Sequence, residues 1–230
     1  MLSELFSTTE PTLLVFCKQP RLYQGKQRIA ASLGAEKALS IASSLLDCAM
    51  EDASHWAGSV VLSPASTAEE DWASTLLPSA SVCAQDAGNL GQRIMAVDKV
   101  IRSTGQQRVI VIGTDAPVLD RHYYQQALMA LEDSDVVFSS ADDGGVTLMG
   151  TNKPWPNIEH LPWSTDRLGQ ALHDACVAAG YSVSYISPSY DIDLETDLLK
   201  LSTDLVGDQR KSRQALYQLV QSLIVQEEPA

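Results

Sequence analysis

Short apolar runs of strand length alternate with segments of helical period along most of this chain. Such alternation is typical of βαβ units, which build a mostly parallel sheet with helices on both faces. The pattern therefore predicts an α/β fold with three layers, α/β/α. Seven strands are predicted, at 12–17, 59–62, 81–84, 108–112, 135–139, 146–149 and 182–186. A last helix is predicted at about 209–225, and the tail 226–230 is expected to fray.

The length of 230 residues and the hydrophobic content of 45% suit one large α/β domain spanning 1–230. With 16 Lys and Arg against 29 Asp and Glu, the net charge is −13. Such a surface repels a nucleic-acid backbone, so an anionic ligand needs a local basic cluster. The apolar runs are far shorter than the roughly 20 residues of a membrane span, and we expect a soluble, cytoplasmic protein.

The cysteines and histidines are scattered along the chain and form no metal-binding motif. Cys17, Cys48, Cys83 and Cys176 include no C-x-x-C pair, and the four histidines form no H-E-x-x-H pattern. Free thiols, mostly buried, are the favoured interpretation of the four cysteines.

Several basic residues follow the first predicted strand. Lys18, Lys26 and Arg28 lie within eleven residues of a chain that is otherwise acidic. Because ligands bind beyond the carboxyl ends of the strands in open parallel sheets, this loop is a candidate phosphate site. A solvated loop without a ligand is the alternative, and neither a P-loop nor a dinucleotide fingerprint is present.

Carboxylates follow three other predicted strands. Asp115 comes directly after the buried strand 108–112, where it could bind a hard cation or simply cap a turn. Asp143 lies in a D-G-G segment that is also typical of an ordinary hairpin turn. Asp191 and Asp193 would point the same way in extended chain and so offer a second metal ligand, or they could open a helix.

Ser164 and Thr165 precede the predicted helix that follows Arg167. Their hydroxyl groups would either cap that helix or donate to a ligand.

Taken together, six segments in this order resemble a bacterial family of GT-A-type transferases, often labelled radical-SAM/selenodomain-associated or glycosyltransferase-like proteins. The pattern of that family runs K-x-P-x-x-G-x-x-K-T-R-L, G-D-L-G-E-R, I-G-T-D-x-P, E-D-G-G-Y-Y-L-x-G, P-W-S-T and D-x-D-T-x-x-D-L. The matching residues are Lys18, Pro20, Lys26, Arg28, Gly88, Leu90, Gly91, Arg93, 112–115, Pro117, Asp143, Gly144, Gly145, Leu148, Gly150, 162–165, Asp191, Asp193, Asp197 and Leu198. The resemblance extends from Leu13 to about Leu201.

The resemblance implies a nucleotide-diphospho-sugar transferase architecture, which is GT-A and Rossmann-like. The family is similar to sugar-nucleotide and cofactor nucleotidyltransferases, in which two Asp residues hold Mg²⁺ against nucleotide phosphates. By that implication Asp115 and Asp193 bind Mg²⁺ or Mn²⁺. The same implication makes Lys18, Lys26, Arg28 and Arg93 phosphate ligands.

The sequence departs from the family pattern at two places. Leu22 and Tyr23 replace the Pro-Gly of the first loop, so the cradle of backbone N–H groups could be displaced. Val146 and Thr147 replace two tyrosines after D-G-G, which removes two rings that could stack on a base or a sugar.

The leading functional hypothesis is a divalent-metal-dependent transferase that uses a nucleoside-diphosphate sugar or a nucleoside triphosphate and an unknown small-molecule acceptor. Asp143 or Asp191 would be the base for the acceptor hydroxyl. The first alternative is a nucleotidyltransferase that acts on a small phosphorylated acid and releases pyrophosphate. The second is a degenerate member that binds a nucleotide or a partner without turnover. Whether apolar stripes on the later helices form a homodimer interface or core is open.

Overall fold

The central sheet has seven strands within residues 10–225, the part of the chain that this computed structural model describes. The strands are β1 (Thr12–Cys17), β2 (Val60–Pro64), β3 (Ser81–Val82), β4 (Val109–Ile112), β5 (Val136–Ser140), β6 (Val146–Thr151) and β7 (Val183–Tyr185). All seven predicted strands are thus confirmed, with bounds that shift by at most two residues. The tail 226–230 lies outside the described residues.

The strand order across the sheet is β3-β2-β1-β4-β6-β5-β7. Strand β6 runs antiparallel to both of its neighbours, and every other pairing is parallel. The predicted α/β class with a mostly parallel sheet is therefore confirmed. Because β1 and β4 are adjacent and parallel, their carboxyl ends meet at one edge of the sheet.

Helices cover both faces of the sheet. They are α1 (Gln27–Leu33), α2 (Ala35–Ser54), α3 (Glu70–Leu76), α4 (Leu90–Ser103), α5 (Arg121–Asp133), α6 (Leu168–Ala178), α7 (Glu195–Asp204) and α8 (Lys211–Val225). One apolar cluster joins the sheet to α2 and α5, and a second joins its other face to α4 and α6. Within the described range, no helix combines the length and the apolar character needed to cross a membrane.

Helix α2 is buried on two sides. Leu46, Ala49 and Ala53 pack against the sheet, whereas Ile41 and Leu45 belong to a third apolar cluster shared with α1, α7 and α8. The helices α7 and α8 thus add a layer outside α2. This layer carries the segment 190–192 of the candidate site, because Tyr190 and Ile192 are buried in the same cluster.

Arg213 on α8 ties this outer layer to the centre of the fold. Its fully buried guanidinium donates to the carbonyl oxygens of Pro117, Leu119 and Cys48 and to Oδ2 of Asp52 at 2.6 Å. The guanidinium therefore links α8 to α2 and to the loop that follows Asp115. A buried charge needs such partners because an unpaired one is strongly destabilising.

The four cysteines are free, as predicted, and three of them are buried. Burial raises the pKa of the Cys48 thiol to about 12. Such a thiol is largely protonated at neutral pH and therefore a poor nucleophile.

Candidate functional site

The candidate site lies where β1 and β4 end. The backbone N–H of Ile192 donates to the carbonyl oxygen of Asp115 at 2.8 Å. This bond joins the loop after β4 to the segment after β7. It therefore brings the Asp115 region together with the segment that carries Asp191 and Asp193.

Lys26 lies between the carboxylates of Asp115 and Asp193, which the family resemblance implies are metal ligands. Its Nζ atom lies 2.9 Å from Oδ1 of Asp115 and 3.2 Å from Oδ1 of Asp193. It also donates to the carbonyl oxygen of Ile192. The Lys26 side chain is only 7% exposed, whereas those of Asp115 and Asp193 are 46% and 44% exposed. Both carboxylates therefore remain open to solvent on the side away from Lys26.

The other predicted phosphate ligands lie in different surroundings. Nη1 of Arg28 is 3.8 Å from Oδ2 of Asp193, and its side chain is 72% exposed. Lys18 is exposed just after β1. Arg93 on α4 donates through Nε to the carbonyl oxygen of Gly88 at 2.8 Å, so it holds the loop that precedes its own helix. Of these cations, Lys26 and Arg28 are the ones in contact with the carboxylates.

Backbone strain is concentrated in the segments of the site. Tyr23, Lys26 and Ser164 are the non-glycine residues with positive φ in the described range, at 63°, 44° and 63°. Each such residue costs on the order of 1–3 kcal/mol, and residues of this kind cluster at functional sites.

Tyr23 stands where the family pattern has glycine, yet it keeps a left-handed conformation. The N–H of Gln24 donates to the carbonyl oxygen of Arg21 at 3.0 Å and closes a tight turn around Leu22 and Tyr23. A turn with positive φ at its third residue normally favours glycine. The first loop thus forms its turn despite the substitution.

A cavity of about 190 Å³ adjoins Asp115. Five of the six sequence segments singled out above contribute to its wall, and the first segment reaches Asp115 through Lys26. The lining includes Leu90, Gly113, Asp115, Val146, Thr147, Trp163 and Asp191. The wall is apolar along α4 and β6 and acidic at Asp115 and Asp191.

Asp191 is the most perturbed carboxyl group of the site, and its pKa is raised to about 6. Burial is the largest cause, and the negative charges of Asp193, Asp143 and Asp115 add to it. Four carboxylates therefore lie close enough to influence one another.

Asp143 belongs to the hairpin turn between β5 and β6. Its Oδ1 accepts a hydrogen bond from the N–H of Gly145 at 2.9 Å, while Gly144 has φ of +85°. The carbonyl oxygen of Gly144 accepts from the N–H of Gly169 at 2.9 Å, which attaches the turn to the start of α6. The D-G-G segment thus forms the hairpin and also holds the start of α6, the helix that follows the P-W-S-T segment.

Ser164 and Thr165 do not cap α6. The helix begins at Leu168 with Arg167 as its N-cap residue. The Thr165 hydroxyl donates to the carbonyl oxygen of Pro162 at 2.7 Å and accepts from the N–H of Arg167, which stabilises the turn before the helix. The capping alternative is therefore wrong, and a role in ligand binding stays a prediction.

Other, larger cavities lie elsewhere in the described range. One of about 430 Å³ contains Lys200 and Arg210, one of about 620 Å³ contains Trp56 and Tyr124, and one of about 280 Å³ contains Trp155. None of the predicted site residues lines any of these three. The smaller cavity next to Asp115 is therefore the one connected to the predicted chemistry.

The donor set at Asp115 and Asp193 fits a hard divalent cation. The two carboxylates and the Ile192 carbonyl are oxygen ligands, and Mg²⁺ typically takes one or two protein carboxylates while substrate and water complete its shell. Within residues 10–225, no group of three or more His, Cys, Asp or Glu side chains is arranged to hold a metal. A metal at this pair would thus depend on oxygen atoms from a ligand or water.

A model of a bacterial protein family, described as "Uncharacterized protein conserved in bacteria (DUF2064)", matches residues 45–165, just over half of the chain. The chain belongs to the DUF2064 family. The matched part of this DUF2064 protein contains Arg93, Asp115, Asp143, Ser164 and Thr165. Among functionally curated proteins, none matches the chain.

Solved structures support the same fold. A crystal structure from Desulfovibrio desulfuricans G20, described provisionally as a nucleotide-diphospho-sugar transferase, is 22% identical with a TM-score of 0.85, covering 95% of this chain and 98% of that one. A cytidylyltransferase from Leptospira borgpetersenii is 13% identical with a TM-score of 0.57, covering 97% and 99%. A 4-diphosphocytidyl-2C-methyl-D-erythritol synthase from Anaerococcus prevotii is 11% identical with a TM-score of 0.57, covering 84% and 94%. The DUF2064 protein therefore has the nucleotide-diphospho-sugar transferase fold.

Two features of the site were not predicted from the sequence. The Ile192 carbonyl is a third oxygen partner of Lys26, and Phe16 and Ile94 contribute to the apolar wall of the cavity. Because every residue has a backbone carbonyl oxygen, the sequence does not indicate which carbonyl will be a ligand. The apolar wall did have a signal in the sequence, because Leu90 and Ile94 lie four residues apart and so share one face of α4.

Proposed function

We propose that this DUF2064 protein is a divalent-metal-dependent transferase that uses a nucleoside-diphosphate sugar. The observation that carries the proposal is the convergence of Asp115 and Asp193 on Lys26, next to a cavity at the carboxyl edge of the sheet. The fold supports it, because its relatives include a protein described provisionally as a nucleotide-diphospho-sugar transferase. A link to the radical-SAM/selenodomain-associated transferases stays a prediction from the resemblance.

The charges of the site suit a diphosphate. The protein carries a net charge of −13, so Lys18, Lys26, Arg28 and Arg93 are part of a small set of cations. Lys acts as a point charge and Arg through paired N–H donors, and both stabilise the negative charge that a leaving diphosphate acquires. When bound at Asp115 and Asp193, Mg²⁺ or Mn²⁺ would supply further positive charge to the same phosphate oxygens.

The volume of the cavity is too small to enclose the whole nucleoside-diphosphate sugar. Its volume of about 190 Å³ is below the about 300–1,000 Å³ of typical ligand pockets. It would therefore enclose one moiety, a sugar ring or a base, while the diphosphate lies outside it along the first loop. Val146 and Thr147 in place of the family's two tyrosines leave room for that moiety.

Asp191 is the better placed of the two candidate bases. Its side chain lines the cavity together with Asp115, whereas Oδ1 of Asp143 accepts the N–H of Gly145 in the hairpin turn. In the proposed reaction an acceptor hydroxyl attacks the anomeric carbon, the nucleoside diphosphate leaves, and Asp191 takes the hydroxyl proton. Ser164 would donate its hydroxyl to the sugar-nucleotide substrate, and Thr165 would do so only by giving up its bond to the Pro162 carbonyl.

A thermal-shift screen of nucleotides and nucleotide sugars, with and without Mn²⁺, tests the proposal. A ligand present at about 100 times its Kd stabilises the native state by about 2.7 kcal/mol, which for a chain of this size corresponds to roughly 5–11 °C in Tm. We expect such a shift only with Mn²⁺ or Mg²⁺ present. Asp115→Ala should abolish it, and the exposed control Asp133→Ala should keep it. Full metal-dependent stabilisation in Asp115→Ala would refute the assignment.

Nucleotidyl transfer is the second candidate function, because two of the similar structures are nucleotidyltransferases. In that reaction a phosphorylated acid attacks the α-phosphate of a nucleoside triphosphate, and pyrophosphate leaves. Pyrophosphate release in the presence of a triphosphate and a metabolite pool would favour this function over glycosyl transfer. Tight nucleotide binding without either reaction would indicate the non-catalytic alternative.

A further inference from the structure

The Lys26 ammonium occupies the point where the two proposed metal ligands converge. An ammonium group has three N–H donors, and three oxygens surround this one, from Asp115, Asp193 and the Ile192 carbonyl. These are the oxygen types that Mg²⁺ and Mn²⁺ prefer. We propose that Lys26 is a built-in cation that competes with the divalent metal for the Asp115–Asp193 pair, and that metal binding frees its ammonium for the phosphates of the donor. This inference rests on the proposed function.

Only one cation can occupy this point at a time. Nζ lies 2.9 Å and 3.2 Å from the two carboxylate oxygens, whereas Mg²⁺ binds oxygen at about 2.1 Å. A metal bonded to both of these Oδ1 atoms would lie close to Nζ, and two like charges at short separation repel strongly. Lys26 must therefore leave before a metal can bind the two Oδ1 atoms that it now contacts.

The side chain of Lys26 is suited to leaving. Lysine carries its charge on a flexible four-carbon stem, so the ammonium can move by several ångströms without a change in the backbone. The residue is held in a left-handed conformation, φ 44° and ψ 39°, as the N-cap residue of α1. A fixed backbone with a flexible stem keeps the ammonium within reach of both the carboxylates and the adjacent first loop.

The exchange couples the two ligands. A metal that takes the carboxylates releases the ammonium, and a diphosphate that takes the ammonium opens the carboxylates. Each ligand therefore strengthens the binding of the other by the same factor. Metal alone or diphosphate alone should bind weakly, and the two together should bind tightly.

The first test measures Mn²⁺ binding without any nucleotide, from the electron paramagnetic resonance signal of free Mn²⁺. We expect Lys26→Met to bind Mn²⁺ at least about tenfold more tightly than the wild type, about 1.4 kcal/mol. Lys99→Met on α4 and Lys211→Met on α8 remove the same charge from exposed positions outside the site. They should change the affinity by less than about threefold, because exposed charges are screened. Lys26→Gln, which keeps a polar head, should act in the same direction if Lys26→Met folds poorly.

The second test measures the affinity for magnesium pyrophosphate by calorimetry. Lys26→Met should weaken it by about tenfold, because the freed ammonium is then missing. The proposal thus expects effects of opposite sign on metal and on pyrophosphate, whereas a merely structural role would weaken both.

An unchanged or weaker Mn²⁺ affinity in both Lys26 variants overturns the exchange. If the wild type nevertheless binds nucleotide with metal, the proposed function stands without it. If Lys26→Met strengthens Mn²⁺ binding and weakens pyrophosphate binding but no donor substrate is turned over, the exchange of Lys26 for the metal stands and the transferase proposal does not.

Discussion

At the scale of single residues, the types of the site residues did not predict which of their side chains are in contact. Asp115, Asp193 and Lys26 were singled out from their positions after strands and from the resemblance. Their meeting at one point depends on the Ile192–Asp115 backbone bond, which has no signature in the sequence. The roles of these residues in metal and phosphate binding stay predictions.

Tyr23 provides a test of strain at this scale. Tyr23→Gly should stabilise the protein by about 0.5–1 kcal/mol in urea unfolding. Glycine removes the strain of a side chain at positive φ, and this gain outweighs the added conformational entropy of the unfolded chain. Tyr23→Ala removes the same exposed ring without relieving φ, so it should give no such gain. Equal effects of the two substitutions would show that the turn does not require glycine-like freedom.

At the scale of elements, the strands were predicted, whereas the antiparallel direction of β6 was given only through the hairpin alternative for the D-G-G segment. Strand runs are marked by their apolar residues, but the direction of β6 depends on its connection. Only five residues, 141–145, separate β5 from β6, and a parallel pairing would need a crossover of about a dozen or more. The D-G-G turn contained this information. The second buried side of α2 was missed because α8, which covers it, lies far away in the sequence.

Gly144 in the hairpin turn can be compared with Gly180 after α6, because both glycines have a similar positive φ. A Cβ atom at Gly144 would clash with the backbone carbonyl of Asp166, in addition to the strain of φ +85°. At Gly180, φ is +78° and no atom lies within 4 Å of the added Cβ. Both alanine substitutions should destabilise the protein in urea unfolding, and Gly144→Ala by at least about 1 kcal/mol more because of the clash. Only Gly144→Ala should also weaken nucleotide binding, and equal losses would contradict the role of this turn.

At the scale of the whole molecule, the outer helices hold the site through Arg213. Arg213→Met leaves the Asp52 carboxylate without its main partner and removes the donor to the Pro117 carbonyl, so it should cost about 3–5 kcal/mol. Adding Asp52→Asn should recover part of that loss, because the remaining buried charge is removed. Additive losses in this double-mutant cycle, measured by urea unfolding, would show that the pair is not coupled.

The class of the fold and the candidate site edge followed from the sequence, whereas the outer layer around α2 and the position of Lys26 required the structure. The most direct measurement is an anomalous difference map from a crystal grown with Mn²⁺ and a nucleoside-diphosphate sugar. The account predicts one Mn²⁺ peak bonded to oxygens of both Asp115 and Asp193, with the Lys26 ammonium turned to the diphosphate. A bound donor with Mn²⁺ elsewhere, or with Lys26 still between the two carboxylates, would contradict it.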